Sequence, residues 1–74
     1  MKITVAQRTY QMSQEEYEGL LQVASEQVPF GIYAVEKNGC AELRNDKCKS
    51  ITQLKKLIRQ FKARGFKVYA NKSV

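Results

Sequence analysis

The sequence has no histidine, two cysteines, one proline and no long apolar run. Without histidine, the usual general base near neutral pH and the usual neutral metal ligand are both missing. Cys40 and Cys48 cannot complete a four-ligand zinc site within one chain, and their spacing is not C-x-x-C. The most apolar stretch, Val28 to Val35, falls well short of the roughly 20 residues that span a bilayer. Lys2 is followed at once by alternating polar and apolar residues, which is not a secretory leader pattern. These absences predict a cytoplasmic protein with free thiols and no membrane association. A phosphate loop, a nucleophile elbow and an HExxH motif are also missing. The expectation is a non-enzyme with no catalytic residues, cofactor, metal or small-molecule substrate.

What is present fits one domain covering residues 1–74. Hydrophobic residues form 43% of the chain and charged residues 27%, which is ordinary for a globular protein and argues against disorder. A domain this small buries only a little over roughly 60% of its extended-chain surface, so its stability margin is thin. The net charge is +6, and it is unevenly placed. Residues 1–42 carry Lys2, Arg8 and Lys37 against Glu15, Glu16, Glu18, Glu26, Glu36 and Glu42, a net of −3. Residues 43–74 carry ten bases against Asp46 alone, a net of +9. Such a split points to a surface that faces a polyanion.

Punctuation at Ser13, Pro29, Asn38-Gly39, Ser50 and Gly65 divides the chain into its elements. Residues 2–12 read as extended. Ile3 and Val5 share one phase, whereas Tyr10 and Met12 share the other, so either a bulged strand or a short hairpin turning near Ala6-Gln7 fits. Residues 14–27 read as a helix. Ser13 with Glu16 forms a capping box, Met12 with Tyr17 forms a hydrophobic staple, and Pro29 is the stop. Tyr17, Leu20, Leu21, Ala24 and Val28 are its core-facing set. Glu15, Glu16 and Glu18 suit the positive end of its dipole.

Residues 30–45 read as a hairpin with two candidate registers. An Asn38-Gly39 turn pairs Val35 with Glu42, whereas a Lys37-Asn38-Gly39 loop pairs Val35 with Ala41 and Tyr33 with Leu43. The second is preferred because it gathers the apolar residues on one face. A second helix starts at Ser50, where Gln53 completes a capping box, and ends at Gly65 with Phe66 placed to touch Phe61 in a Schellman ending. Ile51, Leu54, Leu57, Ile58 and Phe61 form its apolar stripe. Residues 66–71 read as a final strand.

The order is therefore β-α-β-β-α-β, an α+β two-layer sandwich of ferredoxin-like topology or a close relative. Both helices are expected on one face of an antiparallel sheet. A hairpin in residues 2–12 would add a strand.

Two surfaces are candidates for binding. The polar side of the second helix and its flanks carries Lys47, Lys49, Lys55, Lys56, Arg59, Lys62, Arg64 and Lys67, a density suited to nucleic-acid phosphates. A solvated helix face with cations near its C-terminus accounts for the same residues without a partner. The uncovered sheet face is expected to show Ile32, Ala34, Arg44 and Tyr69, suited to a protein partner or a homodimer, as is an exposed strand edge. Tyr69 alone is a poor platform for RNA bases. Lys47 and Lys49 flank Cys48, a setting that can lower a thiol pKa, yet no histidine is present to act as a base, and small buried or incidental thiols are the preferred account of both cysteines.

The stretch VPFGIYAVEKNGCAELRND and the ending KARGFKVYANK resemble short uncharacterised proteins carried by phages and mobile elements of Firmicutes. The likeness spans most of the chain and brings no catalytic or binding motif. It implies an accessory role toward host factors or element DNA. GFKVYANK is also similar to the final strand of certain small toxins, but the histidine those toxins use has no counterpart here.

Overall fold

The computed structural model describes residues 1–72. The elements, in chain order, are β1 (Lys2–Val5), β2 (Arg8–Gln11), α1 (Gln14–Gln27), β3 (Phe30–Lys37), β4 (Cys40–Lys47), α2 (Ile51–Ala63) and β5 (Lys67–Lys72). The class is α+β, with two helices and one five-stranded mixed sheet in the order β2-β1-β4-β3-β5.

Residues 2–12 form a hairpin. Ala6 and Gln7 both adopt positive φ, 51° and 70°, which makes a two-residue turn closed by Val5 and Arg8. The turn has the backbone of an Asn-Gly hairpin without its residues, which is why the sequence leaves the point open. β1 then lies parallel to β4, Ile3 opposite Ala41, so the sheet is not wholly antiparallel as expected. The last strand lies beside β3, not beside the first strand as a ferredoxin-like order requires.

The β3–β4 hairpin turns through Asn38 (φ 52°) and Gly39 (φ 76°) and pairs Val35 with Glu42. This is the two-residue register, and it corrects the preferred three-residue loop. The preference assumed one buried face, but this hairpin is covered on both. Between Ile32 and Ala34 the pairing shifts, leaving Tyr33 as an extra residue of β3 against β5. The shift turns Ile32 onto the face of Val35. At Gly31 the chain passes so close to β4 that a Cβ would lie 2.1 Å from the Asp46 carbonyl oxygen.

The registers place the helices on opposite faces, which corrects the expectation that both share one. Ile32 and Val35 form one core cluster with Leu54 and Phe61 of α2, joined by Val68 and Ala70. Ile3, Ala41 and Tyr17 of α1 form a second, joined by Leu43. Ala41 is the cross-strand partner of Glu36, the neighbour of Val35, so these clusters lie on either side of the sheet. The largest fully buried side chains are Tyr17, Ile3, Ile32, Leu54, Val28 and Val35. Each contributes about 1.5–3 kcal/mol through removal from water.

The helix ends follow the sequence signals closely. Ser13 and Glu16 make the reciprocal capping box. The Ser13 backbone N–H first, and then its hydroxyl, lower the Glu16 carboxyl from its usual pKa. Ser50 Oγ accepts from the Gln53 N–H, but the Gln53 side chain accepts from the Lys49 N–H rather than from Ser50. At the far end, the Phe66 N–H donates to Phe61 and the Gly65 N–H to Lys62, with Gly65 at φ 86°. The Phe61 and Phe66 rings meet edge to face at 5.8 Å, completing the Schellman ending. Lys37 Nζ donates to the Arg64 carbonyl at 2.7 Å, so the hairpin supplies a cation to the negative end of α2.

Candidate nucleic-acid interface

The outer side of α2 is set by helical spacing. Leu54, Leu57, Ile58 and Phe61 turn toward the sheet, so Thr52, Lys55, Lys56 and Arg59 must turn away from it. These last four line a shallow groove of about 340 Å³. All four are exposed, and Lys62 follows Lys55 on the same flank two turns on. Among the described residues, none of Lys55, Lys56, Arg59 and Lys62 forms a salt bridge. Their charges therefore face solvent without an internal counterion.

The other expected basic residues are scattered. Lys49 is exposed just ahead of α2, so it extends the patch. The Arg64 guanidinium lies over the Phe61 ring at 5.4 Å, at the helix end. Lys67 belongs to the opposite face of the sheet. It pairs with Glu36, and its ammonium sits 5.0 Å from the Tyr69 ring. Contact with Tyr69 raises its pKa. Lys47 also alternates away from Asp46 and the α2 face. Thr52 is the groove residue that charge counting missed; its hydroxyl adds a hydrogen-bond donor among the cations. Its helical spacing from Lys55, Lys56 and Arg59 is the signal that identifies it.

The sheet face expected to be open is covered. Ile32 and Ala34 are both 0% exposed and lie beneath the sheet's helical coverings. Arg44 bridges to Glu42 at 3.2 Å and to Asp46, and its guanidinium stacks 5.0 Å from the Phe61 ring. Hydrogen bonding to Asp46 is the main reason its pKa is raised. Tyr69 donates to Glu36 Oε2 at 2.9 Å, and Tyr17 donates to the same oxygen at 3.2 Å. These four residues are thus core, ion pair and hydrogen-bond network, because each face of the sheet carries a helix.

Cys48 is the reverse of the activated thiol its lysine neighbours suggest. Burial, and then the charge of Asp46, raises its pKa, and its Sγ lies 3.6 Å from the Asp46 carbonyl oxygen. Cys40 is exposed beside Glu42 in a second hollow of about 360 Å³, with both thiols free. Among the described residues, no three His, Cys, Asp or Glu side chains cluster as metal ligands. No described helix is long and apolar enough to cross a membrane. Comparison with family models, curated proteins and solved structures gives no significant match.

Proposed function

We propose that the chain is a non-enzymatic accessory protein of the cytoplasm that binds nucleic acid along the outer side of α2. We propose with it a kinship to short phage and mobile-element proteins, which would imply such a role. The observation that carries the reading is the groove of Thr52, Lys55, Lys56 and Arg59, three cations without an ion-pair partner among the described residues. Phosphate contacts from such side chains fix position and affinity but read no bases. The fold we assign beneath this surface is a relative of the ferredoxin-like pattern. The connection β4-α2-β5 spans β3 in the split manner of that family.

A duplex suits the surface better than a single strand. Single-strand binding combines a basic track with aromatic platforms. Tyr33 and Tyr69 pack together at 6.1 Å on the α1 face, with the sheet between them and the basic groove. A strand held on α2 therefore has no aromatic ring beside it there to stack on.

The test is a titration of labelled duplex and single-stranded DNA and RNA at two salt concentrations. Neutralising three or four phosphates predicts a loss of roughly 100-fold in affinity between about 50 and 200 mM salt. The triple variant Lys55→Glu, Lys56→Glu, Arg59→Glu should abolish binding while melting as the parent does. Failure to bind at low salt, or equal binding by the variant, would overturn the reading.

A further inference from the structure

We infer that β2 is a self-pairing edge, through which two copies of this chain join their sheets in antiparallel, two-fold fashion. The inference stands on the opposite edge of the sheet from α2 and does not depend on nucleic-acid binding.

The hydrogen-bond pattern of the first hairpin determines which groups β2 offers. Met1 and Met12 exchange both backbone bonds, at 3.1 and 3.0 Å. In an antiparallel pair such exchanges alternate, so Ile3 with Tyr10 and Val5 with Arg8 are also bonded pairs. Thr9 and Gln11 fall between them. Their N–H and C=O groups point away from β1 and out from the free edge.

These outward groups are arranged evenly about Tyr10. A second β2 running antiparallel can therefore bring its Gln11 opposite Thr9 and its Thr9 opposite Gln11. The central pair is then Tyr10 with its own symmetry mate, in the close, non-hydrogen-bonded position. Tyr10 is 46% exposed, among the few large apolar side chains left open to solvent. It shares the face of Ile3, so two such rings meet on the α1 side of a continuous sheet.

Charge favours this edge and this occupant. The other free edge, β5, carries exposed Lys67 and Lys72 near its ends, which discourages strand addition. β2 has Arg8 as its only charge, and it has no proline and no bulge to guard it. In the two-fold register, Arg8 of the second copy comes opposite Met12. There Glu15 and Glu16 of the acidic first turn of α1 follow closely in the chain. Arginine thus meets the acidic part of the molecule, twice, by symmetry.

A contact of one short strand per copy sits at the small end of stable interfaces, so association in the micromolar to millimolar range is expected. Sedimentation across about 10 µM to 1 mM spans that range and should show the mass rising from one chain toward two. Over the same range, exchange of the Thr9 and Gln11 amides should slow at least several-fold, while the Arg8 and Tyr10 amides, already bonded to β1, stay unchanged. Tyr10→Lys places like charges face to face at the axis and should remain monomeric with parental circular dichroism. Thr9→Pro removes only an outward N–H and should do the same. A parent that stays monomeric at every concentration overturns the inference. So does a dimer that both variants retain with edge amides exchanging freely.

Discussion

Asn71 reaches from β5 across to the end of α1, where its side-chain amide donates to the Val28 carbonyl at 3.1 Å. The same amide donates to the Ser25 carbonyl at 2.9 Å and lies 3.0 Å from the Ser25 hydroxyl. The last carbonyls of a helix have no partners within it, and no basic residue occupies the last turn of α1. Asn71 therefore serves as a cap supplied from the other end of the chain. Asn71→Ala should lower stability by about 1–2 kcal/mol. Asn71→Asp should cost more, because it loses the donors and sets a negative charge at the negative end of the helix. Urea unfolding of the three proteins decides it, and an Asp variant as stable as the parent would refute the assignment.

Gly31 is the residue least open to change. Its φ of 152° is one that other residues rarely adopt, and an added Cβ would lie 2.1 Å from the Asp46 carbonyl oxygen and 3.0 Å from Lys47 Cα. Both obstacles are backbone, so no side chain can swing aside. Gly31→Ala must separate β3 from β4 or untwist the bulge at Tyr33. The expected loss is about 3 kcal/mol or more, against a total of about 4–11 kcal/mol for a chain of this length. Thermal unfolding followed by circular dichroism should show a variant that is marginal or unfolded at 37 °C, whereas Gly19→Ala, where nothing lies near, should not destabilise.

The Ala6-Gln7 turn stores strain that a better-suited dipeptide can relieve. Two L-residues at positive φ cost about 1 kcal/mol each relative to residues that tolerate that region. Asn38-Gly39 makes the equivalent turn elsewhere in the same sheet. Replacing Ala6-Gln7 by Asn-Gly should raise stability by about 1–2 kcal/mol and leave strand pairing unchanged. A melting temperature equal to or below that of the parent would show that the turn is not strained.

The sequence carried local signals faithfully and longer-range ones poorly. The Ser13–Glu16 box, the Ser50 cap and the Gly65–Phe66 ending depend on residues within one turn of each other, and each formed. The first hairpin and its turn near Ala6-Gln7 are one of two readings the sequence allows, and Ala and Gln, not being turn residues, do not decide against a bulged strand. The placement of the helices departs from expectation because only the Tyr33 and Val35 side of β3 is expected to be covered, with Ile32 and Ala34 left open, whereas both are fully buried. Phe30 to Val35 is an almost unbroken apolar run, the pattern of a strand buried on both sides. Of the basic set, Lys55, Lys56, Arg59 and Lys62 were legible because helical phase alone fixes them. Lys47 and Lys67 were not, because the side of the sheet a strand residue faces depends on register and on the Tyr33 shift. The pair of tyrosines on Glu36 joins three separate elements, which no local pattern announces.

That pair yields a prediction in alkaline solution. Tyr17 is 1% exposed and donates to the Glu36 carboxylate. Burial first, and then the negative charge of Glu36, raises its phenol above the usual range. An unfolded chain loses this proton near pH 10, whereas the folded protein keeps it to higher pH. The folded state therefore binds more protons above about pH 10, and stability falls as the pH rises from there, by at most about 1.4 kcal/mol per pH unit for this one group. Below pH 10 the contribution is fully present. Tyr17→Phe should cost about 1 kcal/mol near neutrality through the lost hydrogen bond. It should also make the alkaline decline shallower than that of the parent, since the variant lacks the phenol proton that the folded chain retains. Urea midpoints measured from pH 8 to 11.5 give the comparison. Parallel curves would mean that the Tyr17 phenol ionises as readily in the folded chain as in the unfolded one, and that the Glu36 contact does not hold its proton.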